Sequence, residues 1–419
     1  MIYKFHDANS GILDRCQISN RNDLDFVIDL GDQPLCDTLL SKNDLKKIEK
    51  KYPLKLYRSK SLGHGQLNYI VPGEEVYFPE YPYRPGITKE VQIHHSERSL
   101  ETIKKYNIIK NSLIVDIGSN DGTLLGFYKK NSMRVLGVEP TNTAKIAIQD
   151  GIDTIQDFFN EKIAKDIVAS YGKASLITAT NVFAHMSTLG SVIMGIKELL
   201  QNNGNFILEN HYILNILKDN QYDSIYHEHI RSYSLTSIIY LFKLYDMTVI
   251  DAEVVDRYGG TIRVTVANSN DCKISNNVEK YLELEKQSGL FDQTTWNKFR
   301  NNVEKTKFDL LNLALNAKSK GQRFVGKSCP GRCSTLINYV GLNKDLLPYI
   351  AEQPTSLKLG KFLPGQRIPI VEDQILFDEQ PDYVVIFAWH YGKEIAKDLR
   401  SRGLKSKFVL PLPNLTILD

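Results

Sequence analysis

The stretch Leu113 to Leu125, LIVDIGSNDGTLL, is a short apolar run that breaks into a glycine-bearing loop and then resumes with apolar residues. The aliphatic residues of LIVDI are typical of a buried parallel strand. Gly118 and Gly122 permit a sharp turn and a close approach of the backbone to a ligand. The next apolar run, RVLGV, ends at Glu139, whose carboxylate can accept hydrogen bonds from both hydroxyls of a ribose. The stretch predicts a strand, a turn and a helix that bind an adenosine group.

The loop also indicates which adenosine-containing cofactor to expect. It lacks the GxGxxG spacing that favours a pyrophosphate. Its acidic residue, Asp121, would repel a phosphate and attract the cationic end of S-adenosylmethionine, so we expect methyl transfer rather than hydride transfer. Taken alone, the loop could equally be an ordinary turn between a strand and a helix, in which the glycines have only a structural role. Phe158 could equally be a core residue. The expected cofactor contacts are Asp116, Gly118, Ser119, Asn120, Asp121, Glu139, Asp157, Phe158 and Asn181.

Apolar runs and helical patterns alternate from residue 113 to residue 210, which predicts a doubly wound parallel sheet with ligands at the carboxyl ends of its strands. A chain of 419 residues is longer than one ordinary core, so several domains are expected. We predict an α/β protein with a small amino-terminal α+β unit at residues 1–85, a central doubly wound domain at 86–268 that binds the methyl donor, and a second α/β unit at 269–419.

Composition excludes several classes of function. The chain has 42% hydrophobic and 24% charged residues, which is typical of a soluble globular protein. Its net charge of +3 and the lack of a basic tract interleaved with aromatics argue against a nucleic-acid partner. No stretch approaches the roughly 18 apolar residues that cross a bilayer, and the start has no secretory pattern. The five scattered cysteines fit free thiols, so we expect a cytoplasmic protein without a membrane partner.

The densest cluster of polar and aromatic residues is QYDSIYHEHIRSYSL at residues 221–235, which contains Tyr226, His227, Glu228, His229 and Tyr233. Histidine has a pKa suited to proton abstraction near neutral pH, and a carboxylate or a tyrosine can orient it. A zinc site and a structural cluster are the rival interpretations. Helical zinc pairs favour i, i+4 spacing and a third ligand is not near, so we prefer acid–base chemistry and expect no metal here.

Contacts to a substrate are expected from this cluster and from three other segments. The proline-rich FPEYPYRPG keeps its backbone extended, although its aromatics fit packing onto the next domain equally well. The glycines of RYGGTIRV allow a ligand to approach the backbone closely, and its second arginine could pair with a phosphate. RFVGKSCPGRCSTLINYVG predicts a strand, a turn that cradles a diphosphate, and a helix. The expected substrate contacts are Tyr81, Arg84, His227, Tyr233, Gly260, Arg263, Lys327, Arg332 and Asn338.

In order along the chain, these motifs resemble those of the S-adenosylmethionine-dependent C-methyltransferases of nucleotide-linked deoxysugars. The resemblance runs from about residue 30 to the carboxyl terminus and includes DIGSNDGTLL, GVEPTNTA, ATNVFAHM, YDSIYHEHIRSYSL, GGTIRV and CSTLINYVG. It implies a three-domain fold: a small amino-terminal substrate-binding domain, a central Rossmann-like class I methyltransferase domain, and a carboxyl-terminal Rossmann-like domain that binds the nucleotide sugar. It also implies methylation, at C3, of an NDP-4-keto-deoxyhexose through an enolate, for a branched sugar. The implied partner is a dTDP-sugar, with GDP or CDP as alternatives, and the implied state is a monomer or homodimer.

The resemblance also implies roles for individual residues. The base that removes the proton falls on His229. The histidine of NVFAH, His185, is placed to stabilise the enolate oxygen or to relay a proton. Tyr226, Glu228 and Tyr83 complete the implied catalytic set.

The amino-terminal part departs from the family pattern. Members usually carry two CxxC-like pairs that bind a structural zinc ion. Here Cys16 remains from the first pair, and YRSKSLGHGQL contains no cysteine where the second is expected. Cys36 and His64 do not complete a tetrahedral set, so we expect zinc to be absent.

Two other functions stay open at this point. One is O-methylation of a sugar hydroxyl, which needs no exchange of a proton next to a ketone. The other is a nucleotide-sugar-binding protein that has lost catalysis, an idea motivated by the missing cysteines.

Overall fold

A computed structural model describes residues 3–77, 84, 86, 89–257, 259–269 and 272–418 of the chain, with the backbone alone at residues 89 and 90. Its strands form sheets of seven, six and four strands and a two-stranded ribbon. None of the helices in these ranges combines the length and the apolar character needed to cross a membrane.

The amino-terminal residues form most of a four-stranded antiparallel sheet. The order is β11-β4-β3-β2, so that the edge strand β11 comes from the middle of the chain, directly after the YHEH segment. The ribbon pairs β1 with β5. The elements are β1 (Gly11–Ile12), β2 (Leu24–Gln33), β3 (Tyr52–Ser59), β4 (Gly65–Leu67), β5 (Tyr69–Ile70), α1 (Gly73–Val76) and β11 (Arg231–Ser232).

The central sheet has the order β12-β13-β10-β9-β6-β7-β8, and β13 runs antiparallel to both of its neighbours. This order, with one reversed strand next to the edge, is that of class I methyltransferases, so the predicted fold class is confirmed. The strands are β6 (Leu113–Ile117), β7 (Arg134–Val138), β8 (Thr154–Ile155), β9 (Ala174–Thr180), β10 (Leu200–His211), β12 (Thr248–Val255) and β13 (Thr261–Ala267). The helices are α2 (Lys89–Lys105), α3 (Thr123–Lys130), α4 (Thr143–Gln149), α5 (Glu161–Tyr171), α6 (Leu189–Leu199), α7 (Ile213–Lys218) and α8 (Leu235–Lys243).

The carboxyl-terminal part is a second α/β unit. Its sheet has the order β16-β15-β14-β17-β18-β19 and is parallel except at β19. Before this sheet the chain forms two helices, which are separated by the GLFDQ turn, where Gly289 has a φ of 69°. The elements are α9 (Asn276–Gln287), α10 (Gln293–Ser319), β14 (Phe324–Lys327), α11 (Cys333–Val340), β15 (Ile350–Glu352), β16 (Ile370–Glu372), α12 (Gln374–Glu379), β17 (Tyr383–Ile386), α13 (Gly392–Ser401), β18 (Lys407–Leu410) and β19 (Thr416–Leu418).

The apolar cores join these sheets to one another. Every residue of β6 is buried, because helices cover both faces of the central sheet. A second buried cluster contains Leu54 and Leu56 of β3, Trp296 and Phe299 of α10, and Ile350 of β15. The amino-terminal sheet is therefore packed against the carboxyl-terminal unit, and both border the strand ends of the central sheet. The predicted domain limits at residues 85 and 268 stay a prediction.

Candidate functional site

A cavity of about 450 Å³ lies at the carboxyl ends of β6, β7, β9 and β10. Its lining comes from all three parts of the chain. The central sheet supplies most of it, Asp37 and Tyr77 come from the amino-terminal part, and Arg332 and Lys358 come from the carboxyl-terminal unit. The volume is in the range of small-molecule sites, about 300–1,000 Å³.

One side of the cavity, the loop wall, is formed by residues 116–120, Glu139 and Asn181. Gly118 has a φ of 69°, and a Cβ at this position would lie 2.5 Å from Cγ1 of Val182. Only glycine fits this turn without strain. The backbone N–H groups of Asn120 and Thr141 donate to the two carboxylate oxygens of Glu139, at 3.0 and 2.9 Å. The loop therefore fixes the carboxylate at the end of β7.

The loop wall also presents polar atoms that are suited to a ligand. Oγ of Ser119 and Oδ1 of Asn181 are buried and have no hydrogen-bond partner in the part of the chain that the structure describes. Such atoms are uncommon in proteins and point to a bound group. Burial raises the pKa of Asp116 to about 7, although the Thr178 hydroxyl donates to its carboxylate. A carboxylate for ribose hydroxyls, a turn open to close approach and two unpartnered polar atoms fit S-adenosylmethionine.

A second group of lining residues, the histidine wall, consists of His185, His211, Tyr226, Glu228 and His229. The ring of His229 is central to it. Its centroid lies 4.0 Å from that of Tyr226, 4.7 Å from that of His211 and 5.2 Å from that of His185. The structure thus brings together the second histidine of YHEH and the histidine of NVFAH.

A hydrogen bond determines which nitrogen of His229 carries the proton. Nδ1 lies 2.7 Å from the backbone oxygen of Ser224. Because a carbonyl oxygen only accepts, Nδ1 is the protonated nitrogen and Nε2 keeps its lone pair. Burial lowers the pKa of His229 to about 4, an effect that the Ser224 carbonyl opposes and the Arg332 charge reinforces. At neutral pH the ring is therefore an unprotonated base.

The two neighbouring histidines are neutral as well. Burial lowers the pKa of His185 and of His211 well below the usual value, and in both cases the His229 ring reinforces the effect. Nε2 of His185 has no hydrogen-bond partner among the described residues. The ring of His185 stacks on Tyr77 with a centroid distance of 5.8 Å. His185 is thus held in place with one nitrogen available to a ligand.

Contacts with two other parts of the chain hold the segment before His229. Asp223, which precedes the Ser224 carbonyl, accepts hydrogen bonds from Arg332 at 2.7 Å and from the indole N–H of Trp389 at 2.8 Å. After His229, Arg231 of β11 pairs with Gln66 of β4. The base is therefore positioned by the amino-terminal sheet and the carboxyl-terminal unit together.

Two predicted cofactor contacts are corrected by the structure. The Asp121 carboxylate accepts a hydrogen bond from the backbone N–H of Gly86 at 3.0 Å and lies 3.7 Å from Arg84, so it fastens the incoming chain instead of lining the cavity. Asp157 is exposed and accepts from the N–H of Phe158 at 2.7 Å. Phe158 itself lines the cavity, although it is 44% exposed.

Of the predicted substrate contacts within the described residues, Arg332 lines the cavity and the others do not. His227 bonds to the backbone oxygen of Tyr52, and Tyr233 accepts from Arg231. The remaining side chains are likewise engaged elsewhere: Arg84 with Asp121, Arg263 with Glu209 and Glu253, Lys327 with Asp373, and Asn338 with Ser334 and Pro364, while Gly260 packs against Asn215. Tyr81 and Tyr83 lie outside the described residues.

Several residues that line the cavity were not predicted from the sequence. His211 ends β10 as His185 follows β9, so the pattern NFILENH could have indicated it. Lys358 and Asp37 lie in irregular segments without a motif. Cys36, Asp37 and Glu228 also form a group whose potential metal-binding atoms lie within 4.8 Å of one another, and the Cys36 thiol donates to Glu228 at 3.5 Å.

Three family models and a relative match the sequence of the chain. A model of a methyltransferase domain matches residues 94–252, and a model of a C-methyltransferase C-terminal domain matches residues 256–413. A third model, whose description proposes a zinc binding domain, matches residues 16–77. The C-methyltransferase NovU of Streptomyces niveus is 28% identical over 413 residues, which cover 97% of this chain and 97% of the relative.

Solved structures of methyltransferases are similar over less of the chain. The magnesium protoporphyrin IX methyltransferase of Synechocystis PCC 6803 with bound S-adenosylhomocysteine is 13% identical, covers 42% of this chain and 83% of its own, and has a TM-score of 0.33. The 1,6-didemethyltoxoflavin-N1-methyltransferase of Burkholderia thailandensis is 14% identical, with 44% and 81% covered and a TM-score of 0.34.

The sheet order, the loop wall and the matched models together define the class: the chain is a S-adenosylmethionine-dependent methyltransferase. Within this class, the model of the C-methyltransferase C-terminal domain and the relative that aligns along nearly the whole chain support a C-methyltransferase.

Proposed function

We propose that the protein methylates a carbon atom, C3, of an NDP-4-keto-deoxyhexose next to its ketone. A ring carbon becomes a nucleophile for a methyl group only after it loses a proton, and an adjacent ketone makes this loss possible by forming an enolate. The observation that carries the proposal is the His229 ring, whose Nδ1 donates to Ser224 and whose Nε2 is left as a base in the cavity.

In the proposed reaction, Nε2 of His229 accepts the proton from C3, and the electron pair of the broken C–H bond moves into the enolate. A base alone is insufficient because the α proton of a ketone is weakly acidic, so a donor directed at the developing oxyanion is also required. His185 and Tyr226 flank the His229 ring and are the groups that we assign to this task. Glu228 belongs to the same wall and accepts a hydrogen bond from the Cys36 thiol at 3.5 Å.

The loop wall is suited to hold the methyl donor in the same cavity as the base. Glu139 would receive the ribose hydroxyls, and Ser119 and Asn181 offer polar atoms that have no partner among the described residues. When bound, S-adenosylmethionine supplies the electrophilic methyl group. Because both walls line one cavity, a sugar held between them would present its reacting carbon to the donor and to the base.

Arg332 and Lys358, on the carboxyl-terminal side of the cavity, are the cations that we assign to the nucleotide diphosphate. Arg332 is held by Asp223, and Lys358 donates to the backbone oxygen of Cys329 at 2.7 Å. We infer a dTDP-sugar as the substrate, and GDP- and CDP-sugars are tested beside it.

The proposal is tested by incubating the protein and S-adenosylmethionine with dTDP-, GDP- and CDP-linked 4-keto-deoxysugars. Mass spectrometry should show the gain of one methyl group, and NMR should place it on C3. The matched control is the same sugar with the ketone reduced to a hydroxyl, which we expect to remain unmethylated. A methyl group found on oxygen, or methylation of the reduced sugar, would favour the O-methyltransferase instead.

A further inference from the structure

Two turns share one hydrogen-bond pattern: one lies between β1 and β2, and the other connects β3 to β4. In the first, the N–H of Asn20 donates to the backbone oxygen of Cys16 at 2.8 Å, and the N–H of Ser19 donates to the Cys16 sulfur at 3.4 Å. In the second, the N–H of Gly63 donates to the backbone oxygen of Ser59 at 2.9 Å, and the N–H of Leu62 donates to the Ser59 hydroxyl at 3.3 Å. We call residues 16–20 and 59–63 the paired turns.

The paired turns have the spacing of a structural zinc site. Such a site takes four thiolate or imidazole ligands, often from two Cys-x2-Cys turns. The equivalent first and fourth positions here hold Cys16 and Ser19 in one turn and Ser59 and Leu62 in the other. A leucine offers no ligand atom and serine is not an ordinary zinc ligand, so a single cysteine remains at the four positions.

A neighbouring histidine does not complete the ligand set. Nε2 of His64 lies 3.8 Å from the Cys16 sulfur, which makes two candidate ligands. Across the described ranges, the one group of three potential metal ligands is Cys36, Asp37 and Glu228 at the cavity, not at the paired turns. The residues of the paired turns therefore do not fit a tetrahedral zinc ion, although a model of a proposed zinc binding domain matches this region.

Apolar burial and hydrogen bonds stabilise the paired turns. Cys16, Ile18 and Leu62 belong to one buried apolar cluster and are 1%, 0% and 4% exposed. The second turn is also fastened by Asp23, whose Oδ2 accepts hydrogen bonds from the Ser59 hydroxyl at 3.0 Å and from the N–H of Ser61 at 3.1 Å. The Leu62 side chain and these hydrogen bonds hold the turns without a metal ion.

We propose that the paired turns are a former zinc site that now closes by apolar packing and hydrogen bonds, and that S19C/S59C/L62C would restore zinc binding. The inference concerns how the amino-terminal sheet is held together and is independent of the proposed reaction. It has a direct consequence: folding of the natural chain should not depend on zinc.

The first test uses the natural chain. Metal analysis of the purified protein should find far less than one zinc ion per chain, and a chelator should leave its unfolding temperature unchanged. Stoichiometric zinc that disappears in C16A, or a fall in unfolding temperature with the chelator, would overturn the proposal.

The second test uses S19C/S59C/L62C, with S19A/S59A/L62A as the matched control that removes the same side chains without adding thiols. The cysteine variant should bind about one zinc ion per chain, and with cobalt it should show the absorption bands of a tetrahedral thiolate site. The alanine variant should show neither. A folded cysteine variant that binds no metal would contradict the proposed origin of the turns. If that variant does not fold, the measurements on the natural chain still decide whether zinc is required.

Discussion

The two walls of the cavity are built in different ways. Most of the loop wall is one turn, residues 116–120, and the backbone N–H groups of Asn120 and Thr141 hold Glu139. The histidine wall collects His185, His211 and His229 after separate strands and turns, and the amino-terminal sheet and the carboxyl-terminal unit hold the segment around the last of them. Local turn chemistry therefore sets one wall and tertiary assembly sets the other. Perturbing each wall separately should separate cofactor binding from proton abstraction.

The largest effect is expected in the histidine wall, from H229N. Asparagine keeps an N–H that can donate to Ser224 but has no equivalent of the basic Nε2. Turnover should fall by about 10²–10⁴, the usual contribution of general base catalysis, while binding of S-adenosylmethionine stays unchanged. Steady-state kinetics and calorimetry measure the two quantities.

The control for this prediction is H227N. Nε2 of His227 bonds to the backbone oxygen of Tyr52, and its ring does not line the cavity. Turnover should be retained in H227N. Equal losses in both variants would show that the segment acts as a structural unit and not through one base.

The next effect is expected in the loop wall, from G118A. The added methyl group would clash with the side chain of Val182, and the turn would force the alanine into a left-handed backbone conformation. The free energy of unfolding should fall by about 2–4 kcal/mol, measured by urea denaturation. In G118A/V182A the crowding is relieved but the backbone strain is not, so part of the loss should be recovered. If the double variant is no more stable than G118A, the proposed clash between the added methyl group and Val182 is wrong.

A smaller effect is expected from E139Q, which removes the charge that the loop holds for the ribose. Loss of charge-assisted hydrogen bonds should weaken S-adenosylmethionine binding by about 10- to 100-fold in calorimetry. D157N makes the same chemical change at an exposed side chain outside the cavity and should leave the affinity unchanged. Similar weakening in both variants would mean that Asp157 reaches the cofactor after all.

The smallest effect is expected from pH. Because burial lowers the pKa of His229 to about 4, the base stays unprotonated, and the rate of α-proton exchange measured without S-adenosylmethionine should be level from about pH 8 to about pH 5. An acidic limb near the ordinary histidine pKa of about 6.5 would contradict this.

Acid should also weaken the fold. Burial lowers the pKa of His64 and His95 to about 3. Below about pH 6.5 the unfolded chain takes up protons that the folded chain does not, so the free energy of unfolding should decrease as the pH falls. Urea denaturation at two pH values, above and below about 6.5, measures this loss.

The contrast between the walls also explains which parts of the site the sequence could predict. Residues on the strand ends, such as Gly118, Glu139 and Asn181, lie where the alternating pattern places them, because strand and turn chemistry are local. Asp121 was misjudged because its partner, the N–H of Gly86, comes from another segment.

Two residues that were predicted only from their chemical type do not lie at the predicted site. Arg263 and Lys327 were expected to bind phosphate, but neither lines the cavity, and each pairs with a carboxylate that is distant in sequence. A pattern along the chain does not reveal such partners. Lys358 and Asp37 reach the cavity from irregular segments for the same reason: tertiary packing places them there.

The most direct test of the account is exchange of the substrate's α proton in deuterium oxide without the methyl donor. The natural protein should incorporate one deuterium at C3 of the 4-keto sugar, and H229N should incorporate none above the uncatalysed rate. Methyl transfer without exchange by the natural protein, or undiminished exchange by H229N, would contradict the assignment of His229 as the base.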